Sequence, residues 1–221
     1  MKIKNINQLT MYLKSSGRLF TLCLVLGIAF TTLFSCDSKR SEKEFNTFQE
    51  LQDPTSDTFS DWSNVTEGLQ TSFISIDDKM PKSVAPQVTQ SNNLKVTGWK
   101  NEKLSGQLLL WSASNVNQVE LEFDSFTSEE STLPASIAQA RFVRYVMTDE
   151  FAEGCGHRKP EDYAASLAPD MLDNLDNFNI DAKTVRPVWL TFSIPADAVA
   201  GIYKSNLKLY SDRHFAEEFE I

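Results

Sequence analysis

Apolar and polar residues alternate along several short segments between Gly68 and Ile221. In NQVELEFDSF, Val119, Leu121 and Phe123 would face one side of a strand, and the acidic residues between them would face the other. This pattern is typical of an antiparallel strand with one face on the core and one face in water. Further strands are predicted in LQTSFISI, LKVTGW, GQLLLWS and ARFVRYVM, which are rich in apolar, aromatic or β-branched residues.

The stretch PVWLTFSIPADAVAGIYKSNLKL, residues 187–209, predicts a β-hairpin. Apolar residues alternate from Val188 to Ile194, and again from Tyr203 to Leu209. Between these halves, PADAVAG offers a proline that fixes φ and a glycine that accepts unusual backbone angles, as a turn requires. Several short strands divided by turn signals indicate an all-β fold, and we expect an antiparallel β-sandwich.

Residues 150–180 interrupt this rhythm with two glycines, two prolines and helical spacing around Tyr163 to Leu175. Long insertions without regular structure are uncommon inside compact domains. We therefore expect a long loop with one or two short helical turns over an end of the sandwich. The last segment, HFAEEFEI, predicts a strand with nothing to close it, so the sandwich domain, residues 66–221, is expected to be incomplete at its C-terminus.

Two arginines lie in the predicted strand ARFVRYVM. Arg141 and Arg144 are three positions apart, so they fall on opposite faces of the strand. One of them is therefore expected at an inner edge or paired with a carboxylate.

The first 35 residues predict a lipoprotein signal peptide. A basic start precedes an uncharged run from Leu19 to Phe34, which is short for a membrane span of about 20 residues. The sequence LFSC that ends this segment is similar to a bacterial lipobox, so Cys36 is expected to carry the lipid. The chain would then be exported and anchored to the cell envelope, facing the periplasm or the cell surface. An uncleaved membrane anchor is the alternative, and it would also leave the rest outside the cytoplasm.

Residues 36–65 are mostly polar and predict a flexible tether. The leader carries four basic residues and no acidic one, so its removal changes the net charge from −9 to about −13. Such a surface argues against nucleic acid as a partner, because phosphate binding needs basic side chains. Beyond Cys36 only Cys155 remains, so no internal disulfide is expected and a packed core must supply the stability.

Two groups of reactive side chains are candidates for catalysis or metal binding. Asp149 and Glu150 are adjacent acids, and glycosidases use paired carboxylates. Neighbouring strand residues point to opposite faces, however, so no catalytic residue is predicted. Cys155 and His157 lie close together, but zinc needs three or four ligands and the only other histidine is His214. We therefore expect a structural loop here, with no metal and no cofactor.

Tryptophans offer a different possibility, since aromatic faces stack on sugars. Trp99, Trp111 and Trp189 lie in or beside predicted strands, where large aromatic residues usually fill the core. Trp99 and Trp111 are retained as possible glycan contacts.

Four blocks of the sequence resemble, in order, the N-terminal domain of glycoside hydrolase family 123 proteins. They are GLQTSFISIDDKMPKSVAP, GWKNEKLSGQLLLWSASNVNQVELEF, RFVRYVMTDEFAEGCG and RPVWLTFSIPADAVAGIYKSNLKL. The similarity spans about residues 66–210. The positions that match the family pattern are Trp99, Glu102, Gln107, Pro187, Trp189, Pro195, Asp197, Ala198, Gly201 and Tyr203.

This resemblance implies a β-sandwich placed ahead of a (β/α)8 barrel. Members of known activity are β-N-acetylgalactosaminidases that use an Asp-Glu pair on the barrel, with the acetamido group of the substrate as nucleophile. That pair would lie beyond Ile221. The resemblance therefore implies a non-catalytic domain that braces and orients a hydrolase barrel. Two alternatives stay open: a carbohydrate-binding lipoprotein module at the cell surface, and a purely structural lipoprotein domain.

Overall fold

The structure, a computed structural model, describes residues 50–54, 60–148 and 165–221. Within these ranges the chain forms eleven β-strands and two short 3-10 helices, Trp62–Asn64 and Ala135–Ile137. The strands are β1 Gln70–Ile74, β2 Lys103–Ser112, β3 Val116–Phe123, β4 Phe126–Thr127, β5 Thr132–Leu133, β6 Ala138–Thr148, β7 Ser166–Leu172, β8 Asn177–Ile180, β9 Thr184–Ser193, β10 Asn206–Ser211 and β11 His214–Glu220.

Nine of these strands form two antiparallel sheets. The five-stranded sheet has the order β1-β2-β9-β6-β7, and the four-stranded sheet has the order β11-β10-β3-β8. Aromatic pairs join strands of the two sheets: the ring centroids are 5.5 Å apart for Phe73 and Phe219, and 5.2 Å apart for Phe142 and Phe178. The predicted all-β fold with antiparallel sheets is confirmed.

The main core lies between the two sheets. Leu108 and Leu110 of β2 and Val188 of β9 are fully buried from one side. From the other side, Val119 of β3 and Leu207 of β10 close the core. Each buried aliphatic side chain of this kind stabilises the fold by about 1.5–3 kcal/mol relative to exposure, so this layer is the principal source of stability.

A second apolar cluster covers the outer face of the five-stranded sheet. Trp62 packs there with Leu109, Trp111 and Val185, and its indole N–H donates to the carbonyl of Ser83 at 3.1 Å. Trp62 belongs to the segment that the sequence assigned to the tether. The described part of that segment therefore includes side chains in contact with the sheet, whereas most of the predicted tether lies outside the described residues.

The predicted hairpin over residues 187–209 is wrong, because its two strands lie in different sheets. β9 pairs with β2 and β6, while β10 pairs with β3 and β11. Residues 194–205 therefore connect one layer to the other. The alternation was still assigned to the correct faces, since Val188 and Leu207 meet the same core from opposite sides.

Residues 166–172 form strand β7 and residues 177–180 form strand β8, where the sequence suggested helical turns around Tyr163 to Leu175. Leu167 and Ala168 of β7 are buried, as are Phe178 and Ile180 of β8. Among the described strands, β7 pairs with β6 alone, and an edge strand of this kind accepts Pro169. Tertiary packing thus overrides the local helical spacing, while residues 149–164 lie outside the described residues.

The segment LKVTGW, residues 94–99, is not a strand either. It is joined to the rest of the fold by the N–H of Leu94, which donates to the carbonyl of Glu220 at 3.2 Å. Leu94 and Val96 pack against the core. Their contribution to the core was therefore predicted correctly, whereas the strand was not.

Candidate functional site

A fork opens in the five-stranded sheet where β6 separates from β9. The two strands pair only as far as Phe142 and Val188, and β6 continues beside β7. The preceding residue of β9, Pro187, would face Val143 if the register continued, but proline has no N–H to donate. This loss explains why the ladder between β6 and β9 ends here.

The fork is filled by an ion pair between Arg186 and Glu50. The Arg186 guanidinium donates through Nη1 to Oε1 of Glu50 at 2.5 Å and through Nη2 to Oε2 at 2.9 Å. The backbone N–H of Tyr145 also donates to Oε1 at 3.0 Å, and Nζ of Lys82 lies 2.6 Å from Oε2. The Arg186 and Glu50 side chains are only 4% and 5% exposed, so the carboxylate is held by four donors away from water.

Arg186 is held in place independently of Glu50. Its Nη1 also donates to the carbonyl of Val143 at 2.7 Å, just beyond the last residue of β6 that pairs with β9. The guanidinium carbon lies 4.4 Å from the ring centroid of Phe178 and 5.0 Å from that of Tyr145. Such stacking favours a cation over an aromatic face.

A second buried ion pair joins Arg144 of β6 to Asp173. The Arg144 guanidinium carbon lies 4.7 Å from the centroid of the Phe178 ring, which Arg186 also contacts. The expectation that one of the two β6 arginines would pair with a carboxylate is confirmed for Arg144.

The charge states in the fork follow from these contacts. Burial alone would raise the pKa of Glu50, but the hydrogen bonds and charge of Arg186, with Lys82 and the Tyr145 amide, lower that pKa to about 2. Burial raises the pKa of Tyr145, whose hydroxyl donates to the carbonyl of Met80 at 2.9 Å. Neither group exchanges a proton near neutral pH, so the fork is suited to binding a carboxylate and not to acid–base catalysis.

Trp99 lies at the end of the sheets where β2 begins and β9 ends. Its side chain is 82% exposed. Glu102 shapes the turn beneath it: the Trp99 N–H donates to Oε2 of Glu102 at 2.7 Å, and the Glu102 N–H donates back to the Trp99 carbonyl at 3.2 Å. Asn101, between them, has a φ of 65°, a left-handed conformation that asparagine tolerates well.

Trp111, the other possible glycan contact, is 6% exposed and belongs to the second apolar cluster. Its ring packs with Leu109 and Val185 in this cluster, and a glycan contact at Trp111 stays a prediction. The tryptophan of β9, Trp189, is half-buried.

Other positions that match the family pattern have structural contacts. The Gln107 side chain donates to the carbonyls of Ser75 and Asp78, both at 2.9 Å, and so holds the turn after β1. The hydroxyl of Tyr203 donates to the carbonyl of Val199 at 2.9 Å within the 194–205 connection.

A groove of about 650 Å³ lies beside that connection, between its residues 200–204 and residues 127–130 of the β4–β5 turn. Glu129, Glu130 and Lys204 are its charged lining residues. Ile202, also in the lining, is 82% exposed. The groove therefore combines an exposed apolar side chain, Ile202, with charged lining residues.

Several candidates from the sequence lie outside the described residues: Cys36, Asp149, Glu150, Cys155 and His157. Within the part that is described, no three His, Cys, Asp or Glu side chains are grouped to hold a metal ion. No helix of that part is both long enough and apolar enough to cross a membrane.

The buried fork was missed in the sequence, although one signal was present. Arg186 precedes Pro187 inside an apolar strand, and a buried charge requires a partner. That partner, Glu50, is 136 positions away, so no local spacing could identify it.

Comparison with family models identifies the family of this chain. The model of the "Glycoside hydrolase 123 N-terminal domain" family matches residues 73–211, which is more than half of the chain. A search of curated proteins finds no match.

Among solved structures, a family 123 glycoside hydrolase from Clostridium perfringens, analysed for glycolipid glycan hydrolysis, is 19% identical with a TM-score of 0.59. The alignment covers 69% of this chain and 26% of that one, so the chain spans about a quarter of the enzyme's length. A sporulation control protein from Bacillus subtilis aligns with a TM-score of 0.28 and 9% identity over 68% of this chain and 47% of its own, and it supports no conclusion. By the match over residues 73–211, the chain belongs to the glycoside hydrolase 123 N-terminal domain family.

Proposed function

We propose that this chain is the non-catalytic N-terminal domain of a lipid-anchored glycoside hydrolase that acts on glycans containing N-acetylgalactosamine. Its β-sandwich braces and orients a catalytic barrel that follows it in the parent protein. The observation that carries this proposal is the family match over residues 73–211. The Clostridium perfringens enzyme, of which the alignment covers 26%, has ample length for a separate catalytic domain.

The contacts of the matching residues support a bracing role. Three of these side chains hydrogen-bond to turns of the same chain: Glu102, Gln107 and Tyr203. Their polar atoms therefore stabilise the fold. Trp99 and Ile202, each 82% exposed, offer apolar side chains that a neighbouring domain could cover. Exposed apolar groups of this kind commonly mark interaction surfaces.

An activity measurement tests the non-catalytic assignment. Purified residues 37–221 are expected to release no 4-nitrophenol from 4-nitrophenyl β-N-acetylgalactosaminide above a buffer blank. Release that is lost in Asp149→Asn or Glu150→Gln would overturn the assignment. The DNA after codon 221 tests the bracing role separately: an in-phase reading frame encoding a barrel supports it, and an immediate stop codon contradicts it.

A glycan-binding module is the second candidate, and the exposure of Trp99 favours it. An exposed indole can stack on a sugar ring while nearby polar groups hold the sugar hydroxyls. Residues 37–221 would then be retarded in native gels that contain mucin. Trp99→Ala should abolish the retardation, whereas Phe215→Ala, which removes another exposed aromatic ring (58% exposed), should preserve it. Equal migration with and without mucin would exclude this candidate for mucin glycans.

A further inference from the structure

We propose that Arg186, Lys82 and the Tyr145 amide form a carboxylate-binding site that Glu50 occupies in cis. Residues 50–54, which we call the strap, would be fastened to the fork between β6 and β9 through the Glu50 side chain. The proposal assigns the fork a ligand class, carboxylates, and is independent of the function proposed above.

The donors of this site are positioned without help from the strap. Arg186 is fixed by the Val143 carbonyl and by the rings of Phe178 and Tyr145. The carbonyl of Lys82 accepts from the N–H of Val185 at 2.8 Å, which ties the Lys82 backbone to β9. The receptor should therefore persist when the Glu50 carboxylate is removed.

The geometry selects a carboxylate over other anions. Two parallel N–H groups of Arg186 meet the two oxygens of Glu50, which is the bidentate arrangement that guanidinium makes with planar carboxylates. The Tyr145 amide and Lys82 supply one further donor to each oxygen. A spherical halide could not engage all four donors at once.

Removal of Glu50 would leave the buried Arg186 and the largely buried Lys82 without the carboxylate that pairs with both. Their side chains are 4% and 13% exposed, and an uncompensated buried charge is strongly destabilising. A small carboxylate from solution should take the place of the missing Glu50 carboxylate and restore part of the lost stability. In the native chain a tethered Glu50 has a high effective concentration, so free carboxylates should compete poorly.

Chemical rescue tests this proposal on residues 37–221. Glu50→Ala should lower Tm by roughly 5 °C or more, because buried compensation is lost. Sodium formate at 100 mM should recover at least half of that loss, whereas sodium chloride at the same concentration should not. The native chain and Glu102→Ala, which removes an exposed carboxylate that also accepts a backbone N–H, should show no formate-specific gain. Equal effects of formate and chloride on Glu50→Ala would overturn the proposal.

A second variant tests the strap if Glu50→Ala does not fold. Glu50→Gln keeps the shape of the side chain but removes its charge and one acceptor. Hydrogen exchange of the strap amides should become at least tenfold faster in Glu50→Gln, while exchange in β2 stays unchanged. Unchanged exchange in the strap would show that Glu50 does not fasten it and would overturn this part of the proposal.

Discussion

At the scale of the residue, the Glu50 carboxylate is expected to contribute more to stability than an exposed carboxylate does. Glu50 is ionised and faces Arg186, Lys82 and the neutral Tyr145. Breaking a buried ion pair by removing one partner costs about 3–5 kcal/mol, whereas exposed pairs contribute little. The pair between Lys204 and Glu220, both about two-thirds exposed, should therefore be dispensable where Glu50 is not.

The lowered pKa of Glu50 gives this contribution a defined pH range. Its folded-state pKa of about 2 lies below the ordinary value of 4.5, so the unfolded state binds the proton more readily. The stabilisation is complete above pH 4.5 and is lost as the pH falls toward 2. We expect native chain and Glu50→Gln to differ by roughly 3 kcal/mol in the free energy of unfolding at pH 7.

Urea unfolding at several pH values between 7 and 2.5 measures this difference. The difference in the free energy of unfolding should stay nearly constant from pH 7 to about pH 4.5 and should narrow as the pH falls further. Glu102→Gln serves as the control, since its exposed carboxylate should give a small difference throughout. A difference for Glu50→Gln that is constant over this range would contradict the assigned pKa.

At the scale of the element, the sequence predicted strands well and their partners poorly. β3 and β9 were recognised from a period of two, which fixes the side chains that face the core, and β2 and β6 were recognised from their apolar, aromatic and β-branched residues. The choice of neighbour depends on residues far along the chain, and for that reason β9 and β10 were joined wrongly in one hairpin. Burial of β2 on both faces was not predicted, although the continuous apolar run GQLLLWS indicates it. Trp62 and its neighbours supply the second cover.

That cover should be essential to the five-stranded sheet. Trp62→Ala removes a buried indole that packs on Leu109 and Trp111, and it should destabilise the fold by about 3–5 kcal/mol. The amide exchange of residues 80–88 should rise with it, since Ser83 loses its donor. Trp99→Ala is the matched control: its ring is 82% exposed, and we expect less than about 0.5 kcal/mol. Similar losses for both variants would contradict the two-sided burial of β2.

At the scale of the whole molecule, the proposed lipid anchor sets where the domain works. Lipid attachment at Cys36 was predicted from a short motif. It remains a prediction because Cys36 lies outside the described residues. In a bacterial host, the full-length chain should partition into the detergent phase of Triton X-114 through its lipid. Cys36→Ser should move it to the aqueous phase, while Cys155→Ser should not. Aqueous partitioning of the unaltered chain would contradict the anchor.

The contact between Glu50 and Arg186 also bears on the timing of folding. The two residues are 136 positions apart, and Phe73 of the first strand meets Phe219 of the last. Contacts of such long range cannot form until nearly the entire chain is available, and topologies dominated by them fold slowly. For the exported lipoprotein proposed above, a polypeptide still being synthesised would lack its closing contacts. It would therefore remain loose enough to be threaded through a secretion channel before it matures on the far side.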